Sequence, residues 1–193
     1  MIVRETRVHP LIAPRLLACM RCGGTRGRTE AYCRKSLHAW KGHGLPKFCA
    51  NLSMLFTEFD FLDRFAAARE AGFSGVEFHF PYAFGREAVA ERARAAGVEV
   101  VLFNLPAGNW EKGDRGLACL PSRMSEFRDG VGAAIEYARM LGCKRLNMIS
   151  GIASPKYEEK TLRETYVSNL RFAADELGQA GIMLMLEPIN TRS

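Results

Sequence analysis

The residues of this chain that could carry out chemistry stand where short apolar segments end. Glu187 closes an apolar run over residues 182–186. A carboxylate in such surroundings costs free energy unless it is partnered or has a function, so we predict that Glu187 is a catalytic residue. The other polar residues at the ends of apolar segments are Asn51, Ser53, Glu77, His79, Asn104, Asn147 and Asn190.

Several of these polar residues have a structural interpretation beside the functional one. Asn51 and Asn104 could bind substrate hydroxyl groups, or could close the turns that follow their strands, as asparagine often does. Glu77 and His79 share one face of their strand by the two-residue period. Glu77 is consistent with contact to a substrate or with a structural hydrogen bond, whereas His79 is better explained as a satisfied histidine beneath a loop.

Arg115 is a further candidate, in the loop after Trp110. Its planar guanidinium could pair with a substrate carboxylate through two hydrogen bonds, although an ordinary surface arginine is the alternative. The predicted substrate-binding residues are Asn51, Glu77, Asn104, Arg115 and Asn190.

One unit recurs after residue 46: an alanine-rich amphipathic helix, a glycine, and a short apolar run. Glycine is typical just past a helix because it enters the left-handed conformation without a Cβ clash. The predicted helices cover residues 61–71, 87–96, 127–141 and 166–180, and a strand predicted over 47–55 precedes them. This pattern predicts five strands alternating with four helices.

Such alternation predicts right-handed crossover connections and a parallel sheet. Periodicity alone leaves an open sheet and a closed barrel as alternatives. No G-x-G-x-x-G turn, typical of dinucleotide-binding folds, follows the first strand, whereas polar residues gather at the ends of several strands, as in (β/α)₈ barrels. We therefore predict an α/β chain that holds about five βα units of an incomplete (β/α)₈ TIM barrel in residues 47–193.

Five segments of this region resemble hydroxypyruvate isomerases, in the same order and at similar spacing. They are Phe48-Cys-Ala-Asn-Leu-Ser-Met-Leu-Phe, Gly75-Val-Glu-Phe-His-Phe-Pro-Tyr, Asn104-Leu-Pro-Ala-Gly-Asn-Trp, Glu126-Phe-Arg-Asp-Gly-Val and Leu186-Glu-Pro-Ile-Asn-Thr-Arg. The resemblance runs from about Lys47 to Arg192 and does not include residues 1–46.

The resemblance implies a xylose-isomerase-like barrel that interconverts hydroxypyruvate and tartronate semialdehyde through an enediol. Two glutamates of the family move the carbon-bound proton, and one of them corresponds to Glu187. Related enzymes use this same glutamate to hold a divalent metal such as Mg²⁺ or Mn²⁺, so Glu187 is also the implied metal ligand. Whether a metal is required stays open, and isomerisation or epimerisation of another small hydroxy-keto acid or sugar is the alternative.

The resembling region is short for this fold. A complete barrel has about 250 residues, whereas 147 residues run from Lys47 to Ser193. We expect the chain to end after the fifth strand, without the second glutamate and the later metal ligands, and to have negligible isomerase activity by itself. The open edges of strands one and five would favour association, so a homo-oligomer or a non-catalytic half-barrel is a further alternative.

Residues 1–46 differ in character, with nine basic and two acidic side chains and no sustained apolar period. We predict a disordered basic extension, with two alternatives. Cys19, Cys22 and Cys33 with His38 or His43 could form a zinc site, although the spacing is irregular. Translation could instead begin at position 45, because Leu45-Pro-Lys-Phe resembles the Met-Pro-Lys-Phe with which relatives commonly begin.

The remaining residues hold 18 basic and 19 acidic side chains, so a nucleic-acid partner would depend on the extension alone, and we predict none. The sequence contains no apolar run long enough to predict a membrane span. Its six cysteines are too sparse for a disulfide scaffold and fit a reducing compartment. We therefore expect a cytoplasmic enzyme that acts on a small-molecule substrate.

Overall fold

The computed structural model describes residues 47–187. Five β-strands alternate with four α-helices, and short 3₁₀ turns at Phe61–Asp63 and Pro121–Arg123 precede two of the helices. The strands are β1 (Cys49–Asn51), β2 (Gly75–Phe78), β3 (Glu99–Asn104), β4 (Arg145–Met148) and β5 (Met183–Leu186). The helices are α1 (Arg64–Glu70), α2 (Arg86–Ala96), α3 (Met124–Leu141) and α4 (Glu159–Gln179).

The strands form one sheet in the order β1-β2-β3-β4-β5, and every neighbouring pair is parallel. Each strand therefore lies beside the next strand in the sequence, and the order never reverses as it does in a dinucleotide-binding fold. This singly wound order confirms the prediction of an incomplete (β/α)₈ barrel and resolves the choice that periodicity had left open.

The largest differences between the predicted and observed element boundaries concern β1, α3 and α4. Strand β1 has three residues instead of the nine predicted, because the chain turns at Asn51, whose carbonyl accepts hydrogen bonds from the backbone N–H groups of Met54 and Leu55. Helix α3 begins at Met124 and helix α4 at Glu159, earlier than predicted, because their polar first turns carry little apolar period. The glycine caps are confirmed at Gly97 and Gly142, which both adopt the left-handed conformation.

The two faces of the sheet are distinguished by their contacts. Phe78 packs against Phe61, in the 3₁₀ turn before α1, and against Phe65, in the first turn of α1. It also stacks on Phe103, with the ring centroids 5.8 Å apart. Phe78 and Phe103 thus face the helices. Because side chains alternate along a strand, the neighbouring positions Glu77 and Asn104 face the opposite, inner side of the sheet.

The sheet has two outer strands within residues 47–187. There, β1 pairs only with β2 and β5 pairs only with β4. Two large apolar side chains of β5 are exposed, Met183 at 62% and Leu186 at 48%. No helix in this described stretch is long and apolar enough to cross a membrane.

Candidate active site

A buried carboxylate lies between the first two strands. Glu77 is 8% exposed and stands opposite Asn51 in the register of β1 and β2. The Asn51 amide donates a hydrogen bond from Nδ2 to Glu77 Oε1 at 3.2 Å, and the Cys49 thiol lies 3.7 Å from Oε2. Burial, together with the negative charge of Glu77, raises the pKa of the Cys49 thiol. Strand β1 therefore fixes the orientation of the Glu77 carboxylate.

Asn51 also closes the turn that follows its strand. Its side-chain Oδ1 accepts a hydrogen bond from the backbone N–H of Ser53 at 3.0 Å, the pattern by which asparagine stabilises turns. With Nδ2 engaged by Glu77, most of its hydrogen-bonding capacity serves the protein itself. Contact between Asn51 and a substrate stays a prediction.

His79 is held at the end of β2 by its backbone. Its N–H donates to Ser53 Oγ at 2.8 Å, and its carbonyl accepts from the N–H of Asn104 at 2.9 Å. Burial lowers the pKa of the imidazole, and the negative charges of Glu77 and Glu187 oppose that change. The carboxylates of β2 and of the residue after β5 therefore act on the same imidazole.

Glu187 directly follows β5 and is partly buried. In the register of β4 and β5, Met185 stands opposite Asn147. Glu187 lies two residues further and so shares the face of Met185 by alternation. Alternation, together with its charge acting on His79, predicts that the carboxylate lies at the C-terminal end of the inner face. Its catalytic role stays a prediction.

A pair of asparagines links β3 and β4. Asn104 and Asn147 stand opposite each other in the register, and both are buried, at 8% and 4% exposure. Nδ2 of Asn147 donates to Oδ1 of Asn104 at 3.1 Å, whereas Oδ1 of Asn147 is buried without a hydrogen-bond partner in the described part of the chain. The backbone of Asn104 is also fixed, because its carbonyl accepts from the Tyr82 hydroxyl at 2.7 Å.

The loop between β3 and α3 reaches back toward the end of β2. The Trp110 ring lies 5.1 Å from that of Phe80, and the guanidinium of Arg115 lies 4.1 Å above Trp110. Nη1 of Arg115 donates to the carbonyls of Trp110 and Asp114. Arg115 is exposed and held by the loop, so its pairing with a substrate carboxylate stays a prediction.

Asp114 ties the two ends of this loop together. Its carboxylate accepts hydrogen bonds from the backbone N–H of Asn109 and from Nη1 of Arg123 at 2.7 Å. The Arg123 hydrogen bond, followed by that from Asn109, lowers the pKa of Asp114. The loop that carries Trp110 and Arg115 is therefore anchored at both ends.

Comparison with known proteins places this arrangement in a family. The family model described as "Xylose isomerase-like TIM barrel" matches residues 65–193. The chain belongs to this family.

Members of the family with known sequences and structures are similar to most of residues 47–193. "Hydroxypyruvate isomerase" of Escherichia coli is 49% identical over 144 residues, which cover 75% of this chain and 56% of that protein. "2-oxo-tetronate isomerase" of Cupriavidus necator is 44% identical over 148 residues, covering 77% and 57%. A crystal structure titled "AP endonuclease, family 2" from Brucella melitensis aligns with a TM-score of 0.74 at 46% identity, covering 77% and 57%. The chain thus spans little more than half the length of the curated relatives it matches.

The predicted site residues lie in different parts of the fold. Glu77 and Asn104 lie on the inner face of the sheet, and Asn51 bonds to Glu77. Glu187 directly follows β5, and Arg115 belongs to the loop after β3. Asn190 lies outside the described residues, as do the cysteines and histidines of the zinc alternative and the whole predicted extension. The boundary between residues 46 and 47 likewise stays a prediction.

Asn147 was absent from the predicted substrate-binding residues, although it is one of the polar residues of the predicted strands. Only the pairing of β4 with β3 shows that it contacts Asn104.

Residues 47–187 do not provide a complete set of ligands for the divalent metal that the resemblance implies. No three His, Cys, Asp or Glu side chains converge there closely enough to hold a metal ion. Glu187 alone is too few ligands for Mg²⁺ or Mn²⁺, which bind several oxygen atoms.

Proposed function

We propose that this chain supplies one acid/base carboxylate and part of the substrate-binding face of an isomerase that acts on a short hydroxy-keto acid, hydroxypyruvate first among them. The observation that carries the proposal is the position of Glu187. Its charge acts on His79, three strands away along the sheet, together with that of Glu77. A carboxylate so placed faces the mouth where strands of a barrel converge, the usual location of catalytic groups in this fold.

The reaction requires a proton to move between adjacent carbon atoms. A carboxylate at Glu187 takes a proton from C3 of hydroxypyruvate, and the electrons of that C–H bond form a C2–C3 double bond while the C2 oxygen takes up a proton. The resulting enediol loses the proton of its C3 hydroxyl and gains one at C2, which yields tartronate semialdehyde. Two acid/base groups on opposite sides of the substrate suffice for this exchange. Within residues 47–187, we assign Glu187 as one of these two acid/base groups.

The surrounding groups suit an anionic substrate with adjacent oxygen atoms. Burial lowers the pKa of His79, so its imidazole is neutral at neutral pH and can exchange hydrogen bonds with a carbonyl or hydroxyl group without adding charge. Arg115 is the candidate for the substrate carboxylate, because its guanidinium stacks on Trp110, whose ring contacts Phe80 after β2. These contacts are part of the proposal.

A longer hydroxy-keto acid is the second candidate substrate. It is favoured by the similarity to "2-oxo-tetronate isomerase" from Cupriavidus necator and from Pectobacterium atrosepticum, at 44% and 41% identity. Both substrates require the same proton exchange, so they differ only in the space that the site offers beyond the reacting carbons.

The test uses two proteins: the full 193-residue chain, and the same chain extended at its end by the part of the E. coli relative that lies beyond the matched stretch. We expect negligible turnover from the first and isomerisation of hydroxypyruvate, followed by proton NMR, from the second. Glu187→Gln in the extended chain should lower kcat by about 10²- to 10⁴-fold, the usual contribution of an acid/base group.

Glu164→Gln, on the exposed side of α4, is the matched control and should leave kcat unchanged. Equal kcat values for the Glu187 and Glu164 variants would remove Glu187 from the mechanism. Turnover by the 193-residue chain at the rate of the extended protein would refute the expected inactivity.

A further inference from the structure

The hydrogen bond between Asn104 and Asn147 on the inner face has a defined direction, which the proposed function does not use. Because Nδ2 of Asn147 donates to Oδ1 of Asn104, the oxygen of the Asn104 amide is occupied on the β4 side. The Nδ2 group of Asn104 is then the part of the amide left to act as a donor. Asn104 therefore has the orientation needed to donate to an oxygen atom of a ligand.

The backbone around the pair is fixed independently of the side chains. Asn104 donates its N–H to His79, its carbonyl accepts from Tyr82, and the Asn147 carbonyl accepts from the N–H of Leu105 at 2.8 Å. Rotation of the amide is thus the main freedom left to Asn104. The bond from Asn147 removes that freedom.

The side chain of Asn147 carries a free-energy cost in the folded protein. Its Oδ1 is buried without a partner among the described residues, and a buried acceptor of this kind destabilises a fold. A leucine of similar size would fill the same volume without that cost. The buried Asn169 of α4 carries the same cost, so it is the contact of Asn147 with Asn104 on the inner face, and not the cost itself, that points to a role in the site.

We propose that Asn147 is a positioning residue: it holds the Asn104 amide with Nδ2 directed to the substrate, where it donates to the carbonyl oxygen next to the reacting C–H bond. This inference rests on the proposed function and deepens it, since a donor at that oxygen favours substrates with a carbonyl beside the carbon that loses the proton. Asn147 acts through Asn104 and does not itself contact the substrate.

The chain contains a matched control for this role. Asn169 on α4 is also buried, at 0% exposure, donates one hydrogen bond from Nδ2 to the Ala118 carbonyl at 2.9 Å, and leaves its Oδ1 without a partner in the described residues. It has the same hydrogen-bonding inventory as Asn147 but packs beneath the loop before α3. Effects common to both sites report packing, and effects confined to Asn147 report positioning.

The experiment compares Asn147→Leu and Asn169→Leu in the extended chain, with folding checked by circular dichroism and chemical denaturation. Asn147→Leu removes the unsatisfied Oδ1 but also the donor to Asn104 Oδ1, so the stability should change little. It should lower kcat/KM for hydroxypyruvate at least about tenfold, because the Asn104 amide can turn away. Asn169→Leu should leave kcat/KM of the folded protein unchanged.

Asn147→Asp provides a second measurement if the leucine variant does not fold. An ionised aspartate only accepts hydrogen bonds, so Asn104 must turn its Nδ2 toward β4 and present its oxygen to the substrate. We expect the loss in kcat/KM to persist although the hydrogen bond between the two side chains is kept.

Unchanged kcat/KM in both Asn147 variants, or an equal loss in Asn169→Leu, would overturn the inference while leaving the proposed function intact. An inactive unsubstituted extended chain would overturn the proposed function itself, and the inference with it.

Discussion

The carboxylate of Glu187 acts electrostatically on the imidazole of His79, although the two residues follow the fifth and second strands of the sheet. Both residues follow the C-terminal ends of their strands, and alternation along β2 and β5 assigns both side chains to the inner face. A Glu187 side chain turned toward the helices would have the sheet between itself and His79. The relationship is measurable in the chain without any catalysis.

Replacement of Glu187 by glutamine should lower the pKa of His79, because the negative charge that favours the imidazolium form is removed. Glu77→Gln should lower it further, since its charge has the larger effect. NMR titration of the 193-residue chain measures this value, with the His79 signals assigned by their loss in His79→Gln. Glu99→Gln, at the opposite end of β3, is the control and should change nothing. An unaltered pKa in Glu187→Gln would mean that the carboxylate faces elsewhere.

The stability of the fold should fall on acidification in a way that depends on His79. Burial lowers the pKa of His79 in the folded state, so the unfolded chain binds the proton more tightly. The contribution of His79 to stability is complete above the unfolded value of about 6.5 and is lost as the pH falls through that value toward the lower folded one. Denaturation curves at several pH values measure it. His79→Gln should flatten the dependence in that window, and an identical profile in both proteins would contradict the expectation.

A close approach of two loops should make Gly116 intolerant of a side chain. Gly116 has a φ of +106°, bridges to Ser150, and leaves no room for a Cβ beside the Ile149 carbonyl oxygen. Gly113 has a similar φ of +96° but open space around the same position. Alanine at either site carries the left-handed strain, and Gly116→Ala should lose at least about 1 kcal/mol more in chemical denaturation because of the added overlap. Equal losses would mean that the loops separate easily.

Arg115 should matter for binding of the substrate carboxylate and not for the chemical step. Lysine keeps the charge but loses the planar group that stacks on Trp110 and can make two parallel hydrogen bonds. In the extended chain, Arg115→Lys should raise KM for hydroxypyruvate with kcat little changed. Arg128 stacks on Phe172 at 5.0 Å and provides a second stacked arginine as control. A KM increase shared by Arg128→Lys would indicate a general effect on folding.

Strand β5 should promote association of the 193-residue chain. Met183 and Leu186 are exposed, and β5 has one neighbour within residues 47–187. Met183→Lys introduces a charge of the kind that discourages strand edges from pairing, so it should reduce the oligomer seen by light scattering after size exclusion. Met140→Lys replaces a methionine with 42% exposure on α3 and should not. A monomeric unsubstituted chain would show that this surface does not associate.

The positions of three candidate residues were predictable because they follow the ends of short apolar segments. Glu77, Asn104 and Glu187 stand at such ends in the sequence, and alternation along their strands places them on the inner face. Their partners were not predictable in this way. The bond from Asn51 to Glu77 and the pair of Asn104 and Asn147 join residues 26 and 43 positions apart, and both depend on strand register.

The sequence by itself determined which segments are helices and strands, where left-handed glycines end α2 and α3, and to which family residues 65–193 belong. These features follow from periodicity and motifs, which depend on residues close together in the chain. Only the tertiary structure decided which polar groups meet, that the charge of Glu187 acts on His79, and which atom of the Asn104 amide accepts the hydrogen bond from Asn147. Hydrogen bonds and electrostatic effects act over a few ångströms in space, so they depend on contacts that distance along the chain does not reveal.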